Sequence, residues 1–288
     1  MDRGEQRAPG LPANRDLAWL ERAELRPVRL VLEYLKPELA LQDRGIRHTI
    51  VVFGSTRLLE PEAAALAVAE AERAAASSPY GSGAQQTLER ARHAQELSRF
   101  YAIGRELGGL VARHDGSADH RLVVMTGGGP GGMEAANRGA QEAGAPSVGL
   151  NVTLPAEQPL NPYLTPELTF HFRYFALRKL HFLLRARALV ALPGGFGTLD
   201  ELFETLCLIQ TGKHPGMPVV LVGESFWRKA VDFDFLVAAG VIEPSDLELF
   251  AFADDAAAAW RTILDWYAAR GRSIFDAPDP SLPAELEL

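Results

Sequence analysis

The chain has 288 residues, close to the upper limit for a single hydrophobic core. Hydrophobic residues make up 47% and charged residues 23%, values typical of a globular protein that exclude disorder as a class. The formal net charge of −8 gives no overall attraction to nucleic acid or to anionic membranes, and the single cysteine, Cys207, excludes an internal disulfide and a cysteine-rich metal site.

The two ends of the chain are polar and contain proline. Residues 1–15 are predicted to be disordered and do not resemble a secretory signal, and residues 273–288 are predicted to form a flexible tail. No stretch approaches the ~20 consecutive apolar residues that a membrane-spanning helix needs. We therefore expect a soluble cytoplasmic protein without a membrane partner.

Residues 16–47 are predicted to form a helical extension. Leu30, Leu32 and Leu35 have a spacing that could place them along one face of a helix. Pro27 and Pro37 are expected to bound the second half of this segment, because proline interrupts a helix interior.

From residue 48 the pattern changes to short, β-branched apolar runs flanked by glycine or proline, as expected for strands buried on both faces of a parallel sheet. These runs occupy residues 48–53, 121–125, 146–152, 188–192 and 217–222. Helical stretches are predicted at residues 61–76, 86–113, 133–143, 174–186, 199–211 and 255–269. This alternation predicts an α/β fold: a Rossmann-like, doubly wound parallel sheet with helices on both faces. Residues 48–272 would form this domain, with a helical insertion at residues 60–115 that contains an exposed loop at residues 77–85.

Two glycine-rich loops follow predicted strands, at the end of a parallel sheet where ligands bind. The first reads TGGGPGG and the second PGGFGT, and each precedes a predicted helix. Glycines let the backbone approach a ligand closely, and a helix start offers unpaired N–H groups. Two such loops on neighbouring strands could hold one phosphate, although each could also be a tight turn without a ligand. The candidate binding residues are Gly127, Gly128, Gly129, Gly131, Gly132, Gly194, Gly195, Gly197 and Thr198.

Two common nucleotide-binding motifs are incomplete. The first glycine loop satisfies G-x-G-x-x-G, but the next predicted strand ends at Asn151 without an acidic residue to bind a ribose diol. The pair Gly212-Lys213 lacks the upstream glycine of a Walker loop. The sequence therefore argues against NAD binding and against a Walker-type NTPase.

Glu201 lies three residues after Thr198, at the start of a predicted helix, and its position has two interpretations. In a capping box, Thr198 would be the N-cap and the Glu201 side chain would reach back to its N–H. Alternatively, Glu201 would place a carboxylate at the mouth of the ligand crevice, beside a phosphate-binding turn. The adjacent Asp200 is expected to lie on another helix face, in solvent.

Residues 171–189 concentrate basic side chains within an acidic protein: His171, Arg173, Arg178, Lys179, His181, Arg185 and Arg187. The apolar residues between them predict a buried helix, with most of the cations on its solvated side. One or two cations at the crevice would suit a phosphorylated substrate, because a guanidinium binds oxyanions in bidentate fashion. Since no recognisable nucleophilic triad, HExxH or CxxC motif is present, the predicted chemistry needs neither metal nor cofactor and depends on a carboxylate and an arginine.

The motif PGGFGTLDE, ending at Glu201, resembles the PGGxGTxxE signature of the LOG ("lonely guy") family of cytokinin-activating phosphoribohydrolases. The resemblance extends over TGGGPGGMEAANRGA, GLNVTLPAEQPLN, VFGSTR and the Arg178-Lys179 pair, and covers about residues 48–230. The N-terminal helices and the insertion resemble the longer bacterial branch of the family. Short members carry Met-His-Glu where this chain has Phe-Ala-Leu at residues 175–177, a departure that affects base preference more than chemistry.

The resemblance implies hydrolysis of nucleoside 5′-monophosphates, such as AMP or cytokinin ribotides, to free base and ribose 5-phosphate. It also implies a homodimer or larger homo-oligomer, and no nucleic-acid partner is expected. Carried over by position, the catalytic pair falls on Arg178 and Glu201. The two glycine loops would bind the phosphate, and the remaining site residues implied are Gly54, Ser55, Glu134 and Lys179.

Many members of this family carry the older label "possible lysine decarboxylase". A pyridoxal enzyme needs a Schiff-base lysine, and none of the four lysines of this chain lies in a recognisable cofactor motif: Lys36, Lys179, Lys213 and Lys229. The sequence does not support that label.

The mechanism expected from the resemblance places Glu201 beneath the sugar, where it would stabilise oxocarbenium character and orient or deprotonate the attacking water. Arg178 would hold the phosphate or ribose and keep Glu201 ionised. The amides of residues 195–198 and 129–132 would bind the 5′-phosphate. Alternative functions are a nucleotide-binding regulatory protein with little or no hydrolysis, a phosphoribosyl enzyme acting on another nucleotide, and a carrier of a phosphorylated cofactor.

Overall fold

The computed structural model describes residues 10–77, 82–114, 121–153 and 159–276. The described residues form one seven-stranded sheet in which all neighbouring strands are parallel. The strands are β1 Ile46–Phe53, β2 Arg121–Thr126, β3 Ser147–Val152, β4 Thr169–Phe172, β5 Ala186–Ala191, β6 Val219–Val222 and β7 Ala251–Ala253. Their spatial order is β4-β3-β2-β1-β5-β6-β7, which confirms the predicted doubly wound sheet.

Both faces of the sheet are covered by helices. Their bounds are α1 Leu17–Leu20, α2 Arg26–Asp43, α3 Pro61–Ser77, α4 Ser82–Leu97, α5 Arg99–Arg113, α6 Gly132–Glu142, α7 Phe175–Leu184, α8 Phe196–Gln210, α9 Glu224–Ala230, α10 Phe233–Ala238 and α11 Ala256–Ala268. Along β1, Val51 and Phe53 join the core formed with α2, α7, α8, α9 and α10. The alternate residues Ile50 and Val52 join the core formed with α5, α6 and α11. Because successive side chains of a strand point to opposite faces, a strand buried on both sides needs the continuous apolar run seen in the sequence.

The strand order places a topological switch point between β1 and β5. From β1 the chain moves outward through β2, β3 and β4, and it then returns to the other side of β1 as β5. A crevice opens at such a point beyond the carboxyl ends of the strands. The two glycine loops follow β2 and β5, which are separated by β1, so the expectation that they follow neighbouring strands is wrong.

The structure adds two strands that the sequence pattern did not indicate. The short β7 has three residues, too few for a periodic signal, and β4 overlaps the start of the basic segment. In β4 the side chains of Phe170 and Phe172 are buried and His171 is exposed, so a polar residue interrupts the apolar run. The helix predicted over residues 86–113 is divided at Ser98 into α4 and α5.

The N-terminal extension also differs from its prediction. Helix α2 continues through Pro37, which is buried, to Asp43. Leu41 is fully buried, whereas Leu32 and Leu35 are 53% and 38% exposed. Leu30, Leu32 and Leu35 therefore do not share a buried face, because α2 carries apolar residues on its open side as well as on the side toward the sheet.

Several predicted segments lie partly outside the described residues. These include residues 1–9, residues 78–81 of the predicted loop, and residues 277–288 of the predicted tail. The chain is helical from Ser82, so the exposed loop is shorter than predicted. Ile274, which falls in the segment predicted to be a flexible tail, is buried in the core. Across the described ranges, no helix is both long and apolar enough to cross a membrane.

Candidate active site

A cleft of about 550 Å³ opens at the carboxyl ends of β1, β2, β3 and β5, at the predicted crevice. Its volume lies within the range of small-molecule sites. The loop after β1, the start of α7 and the start of α8 form its walls. The candidate residues that line it are Gly54, Ser55, Gly127, Arg178, Gly195, Gly197, Thr198 and Glu201. The fold therefore brings the candidate catalytic pair, Arg178 and Glu201, to the same cleft.

The loop after β5 delivers Glu201 to the cleft. Helix α8 begins at Phe196 with Gly195 as its N-cap and without a side-chain cap, so the alternative of a capping box between Thr198 and Glu201 is wrong. Thr198 packs over the loop instead, and a Cβ atom on Gly194 would lie 2.1 Å from its Oγ1. The glycine at position 194 is therefore required for the close approach of the first helical turn to the loop.

Glu201 is a buried carboxyl group at the wall of the cleft. Its side chain is 7% exposed, and its Oε2 lies 3.5 Å from Nζ of Lys179. Burial raises the pKa of Glu201 to about 7, while Lys179 and Arg178 act in the opposite direction. Desolvation thus outweighs the attraction of the neighbouring cations, and Arg178 does not hold the pKa of Glu201 at or below its ordinary value.

Lys179 stands behind Glu201 and does not line the cleft. Its Nζ lies 2.8 Å from Oε2 of Glu204 and 2.9 Å from Oδ2 of Asp200, both closer than Glu201. Burial disfavours the ammonium, but the hydrogen bonds that it donates to Glu204 and Asp200 outweigh burial and raise the pKa of Lys179. Such a lysine stays protonated, which is the opposite of what a Schiff-base nucleophile needs. Asp200 is exposed, as expected, but it lines the same cleft as Glu201 and is paired with Lys179, so it is not turned away from the site.

Arg178 reaches the cleft from α7. Its Nε donates a 2.9 Å hydrogen bond to the carbonyl of Leu150, and a Cβ atom on Gly127 would lie 2.7 Å from its Nη2. Within the described ranges, its two terminal nitrogens donate to no protein acceptor. Burial lowers the pKa of Arg178 from its ordinary value, while Glu201 raises it. The guanidinium is thus fixed through Nε and free at its outer edge to bind an anion.

The loop after β2 is held by contacts with its own surroundings. The N–H of Gly132 donates to the carbonyl of Ser55 at 3.0 Å, and the N–H of Gly128 donates to Oγ1 of Thr126 at 3.0 Å. Gly131 has φ 74°, and a Cβ atom there would lie 2.3 Å from the carbonyl oxygen of Ser55. The amide of Gly132, one of those expected to bind phosphate, is therefore used to build the loop, as is the neighbouring amide of Gly128.

A buried polar cluster supports this loop from beneath. The Oδ1 atom of Asn137 accepts hydrogen bonds from Oγ1 of Thr126 at 2.8 Å and from Nδ2 of Asn161 at 3.0 Å. The same Nδ2 donates to the carbonyl of Gly129 at 3.0 Å. These contacts fix the glycine loop to α6 and to the segment after β3.

Several expected site residues lie outside the cleft wall. Glu134 accepts a 2.8 Å hydrogen bond from the hydroxyl of Tyr101, a residue of the insertion. Gly128 packs on Leu160 and Leu164. The remaining ones, which support the loops or the carboxyl cluster, are Gly129, Gly131, Gly132, Lys179 and Gly194.

The expectation that most cations of residues 171–189 lie in solvent is wrong. Arg185 is bound by Glu38 of α2, and His181 is buried between Tyr34 and Phe172. Burial lowers the pKa of His181 to about 4. Arg173 is exposed but pairs with Glu21 of the N-terminal extension. The extension therefore supplies acidic partners to this segment.

Sequence reasoning missed part of the cleft wall. The additional lining residues from β1 and β3 are Phe53, Asn151 and Val152, and those from loops and helices are Thr56, Arg57, Met133, Phe175, Phe196 and Asp200. Arg57 could have been found, because it closes the VFGSTR motif directly after a strand. The apolar residues give no such signal, since the same residue types fill the core. No group of three potential metal-ligating side chains occurs among the described residues.

Comparison with known proteins agrees with the sequence motifs. The family model described as "Possible lysine decarboxylase" matches residues 133–263. A probable cytokinin riboside 5′-monophosphate phosphoribohydrolase of Oryza sativa subsp. japonica is 40% identical over 80 residues, which are 27% of this chain and 35% of that protein. A cytokinin riboside 5′-monophosphate phosphoribohydrolase of Arabidopsis thaliana is 34% identical over 80 residues, with the same coverage. The chain thus spans about a third of the length of these curated relatives.

Among solved structures, the molybdenum cofactor carrier protein of Chlamydomonas reinhardtii matches with a TM-score of 0.46 and 21% identity, over 77% of this chain and 99% of that chain. The family model covers the part of the chain that holds both the Arg178-Lys179 pair and the PGGFGTLDE motif. The family model and the curated relatives confirm that the chain resembles the LOG phosphoribohydrolases.

Proposed function

We propose that the chain hydrolyses the N-glycosidic bond of nucleoside 5′-monophosphates, AMP or N6-modified AMP such as cytokinin ribotides, to free base and ribose 5-phosphate. The observation that carries this proposal is a buried carboxyl group, Glu201, in the wall of a cleft that also holds the free edge of Arg178. The likeness to named phosphoribohydrolases supports the same reaction class.

The phosphate would bind where the start of α8 meets Arg178. The N–H groups of Phe196 and Gly197 lie in the first turn of α8, where a helix has no internal acceptors for them. The positive end of the helix dipole favours an anion at this point. The terminal nitrogens of Arg178 would add a bidentate contact to the phosphate or to the ribose.

The chemistry requires one water and no further reactant. As the bond between C1′ and the base nitrogen breaks, its electron pair leaves with the base and the ribose gains oxocarbenium character. The carboxylate of Glu201 would stabilise this charge and accept a proton from the attacking water, whose oxygen forms the new bond to C1′. The proton then passes to the departing base, which restores the carboxylate.

The pKa of Glu201 suits this role. General bases work best when their pKa lies close to the working pH, and burial raises the pKa of Glu201 to about 7. Above that pH the carboxylate form predominates, so activity is expected to rise as the pH passes through the neutral range.

The proposal is tested by incubating the purified protein with AMP, other nucleoside monophosphates, an N6-prenylated AMP and adenosine, followed by chromatographic separation of base and sugar. We expect equal amounts of base and ribose 5-phosphate from at least one monophosphate, and much slower release from adenosine, which lacks the phosphate. Tight binding of a monophosphate without release of base would instead identify a nucleotide-binding regulatory protein and overturn the proposal.

A further inference from the structure

Phe196 is the most exposed large apolar side chain in the described part of the molecule. It is 92% exposed, although it lines the cleft at the first residue of α8. A Cβ atom added to either neighbour, Gly195 or Gly197, would also meet nothing within 4 Å, so the chain on both sides of Phe196 is open. Because ligand sites are lined largely by apolar and aromatic side chains, an exposed ring in the wall of a cleft is expected to contact a ligand or a partner.

The chemistry of the cleft indicates which part of a ligand this ring would meet. The polar groups Glu201 and Arg178, together with the amides at the start of α8, account for a sugar and its phosphate. The apolar part of the cleft wall is not accounted for by the sugar or the phosphate. It includes Met133 and Phe175, which is 45% exposed. The part of a nucleotide that remains is the base, whose flat faces stack on aromatic side chains.

We propose that Phe196 is a specificity-determining residue that stacks on the base of the bound nucleotide, an assignment that rests on the proposed function of the cleft. Phe175 borders the same space from α7, but its ring already faces the guanidinium of Arg178 at 5.4 Å. Phe196 has no such partner among the described residues, so its ring is left for the ligand alone. A larger base offers a larger stacking face, so purine monophosphates bind more tightly than pyrimidine monophosphates.

The test is a set of calorimetric titrations with AMP, UMP and ribose 5-phosphate, carried out in a Glu201→Gln background to prevent turnover. Phe196→Ala is expected to weaken AMP binding about 10- to 100-fold, the effect of removing one aromatic stacking partner. In the same variant, the affinity for UMP is expected to fall less than the affinity for AMP, so the ratio of the two affinities becomes smaller. The affinity for ribose 5-phosphate is expected to change by no more than twofold. Phe196→Tyr keeps a ring and retains the affinity for AMP.

Phe235→Ala is the matched control, because Phe235 is 62% exposed on α10 and does not line the cleft. Unchanged AMP binding in Phe196→Ala would overturn the assignment, and so would an equal loss for AMP and ribose 5-phosphate. The competing explanation is that Phe196 contacts another subunit, and sedimentation of the same variants tests it. Loss of an oligomer in Phe196→Ala with unchanged AMP affinity would identify Phe196 as a subunit contact. If Phe196→Ala weakens AMP binding as expected but the wild type releases no base, only the proposed hydrolysis is overturned.

Discussion

The ammonium of Lys179 lies 3.5 Å from Oε2 of Glu201, yet the pKa of Glu201 is raised to about 7. The reason lies in the surroundings of both groups. Glu201 is almost fully buried, and Lys179 is held more closely by two other carboxylates, those of Asp200 and Glu204. Their charges offset that of the lysine at Glu201. The carboxyl group therefore changes its protonation state in the neutral range, where a base catalyst is useful.

The raised pKa of Glu201 makes the stability of the protein depend on pH. A carboxyl group whose pKa rises on folding stabilises the folded state while it is protonated, and this contribution is lost as the pH rises through the folded pKa. A shift from 4.5 to about 7 corresponds to about 3 kcal/mol at high pH. Glu201→Gln, which cannot ionise, is therefore expected to raise the free energy of unfolding by about 3 kcal/mol at pH 9.

Denaturant unfolding of the wild type and Glu201→Gln between pH 4 and pH 9 measures this difference. The difference in the free energy of unfolding between the two proteins is expected to develop as the pH rises from the unfolded pKa of Glu201, near 4.5, to its folded pKa of about 7. Glu248→Gln is a suitable control, because Glu248 is exposed whereas Glu201 is buried. A difference that stays constant over the whole range would show that Glu201 does not carry a raised pKa.

Lys179 is expected to act as a positioning residue that tunes Glu201. Removing its charge in Lys179→Met takes away a cation that lowers the pKa of Glu201, so that pKa rises above 7. The pH profile of kcat/KM, which is expected to rise with pH in the wild type, should then shift to higher pH. Lys179→Arg, which keeps the positive charge, should bring the midpoint of the profile back close to that of the wild type.

Lys229→Met provides the matched control for this experiment, because Lys229 is an exposed lysine on α9. It should leave the midpoint of the profile unchanged. A purely structural role of Lys179 would lower kcat/KM equally at every pH, and a fixed midpoint in Lys179→Met would contradict the tuning role.

Two adjacent glycines in the loop after β5 are expected to respond differently to substitution. A Cβ atom at position 194 would lie 2.1 Å from Oγ1 of Thr198, whereas one at position 195 meets nothing within 4 Å. Gly194→Ala should therefore destabilise the protein by about 1–3 kcal/mol through overpacking. Gly195→Ala should unfold like the wild type, and thermal unfolding of both variants checks the pair. Equal stability of the two variants would mean that the first turn of α8 does not pack against the loop.

Gly131 and Gly144 form a second matched pair, since both have positive φ angles, 74° and 77°. A Cβ atom at Gly131 would lie 2.3 Å from the carbonyl oxygen of Ser55, and one at Gly144 would meet nothing within 4 Å. Gly144→Ala reports only the cost of the backbone conformation, about 1 kcal/mol. Gly131→Ala should lose clearly more stability and also weaken nucleotide binding. Equal losses in the free energy of unfolding would show that the two loops do not press together.

Much of the sheet could be predicted because its central strands have to be apolar on both faces. The glycine loops could be predicted for a related reason, since they end such strands and begin helices. The separation of the two loops by β1 could not be predicted, because strand order is decided by how the whole chain packs. Helix α2 continues through Pro37, where a local rule predicts an end, because that proline is buried in the assembled fold.

The surroundings of the candidate site were harder to predict than its members. The resemblance pointed to Arg178 and Glu201, and the fold brings both to one cleft. The partners of the basic segment are far away in sequence, as in the pairing of Arg185 with Glu38. Burial, which decides the pKa of Glu201, is a property of the folded chain and has no local pattern.

The most direct test of the central claim is a comparison of turnover and binding in Glu201→Gln. We expect release of base from the preferred monophosphate to fall by roughly 10²- to 10⁴-fold, the typical contribution of a general acid or base. The dissociation constant for that monophosphate, measured by calorimetry, should change no more than a few-fold, because the phosphate contacts remain. Turnover at the wild-type rate in Glu201→Gln would contradict the role of this carboxyl group in the reaction.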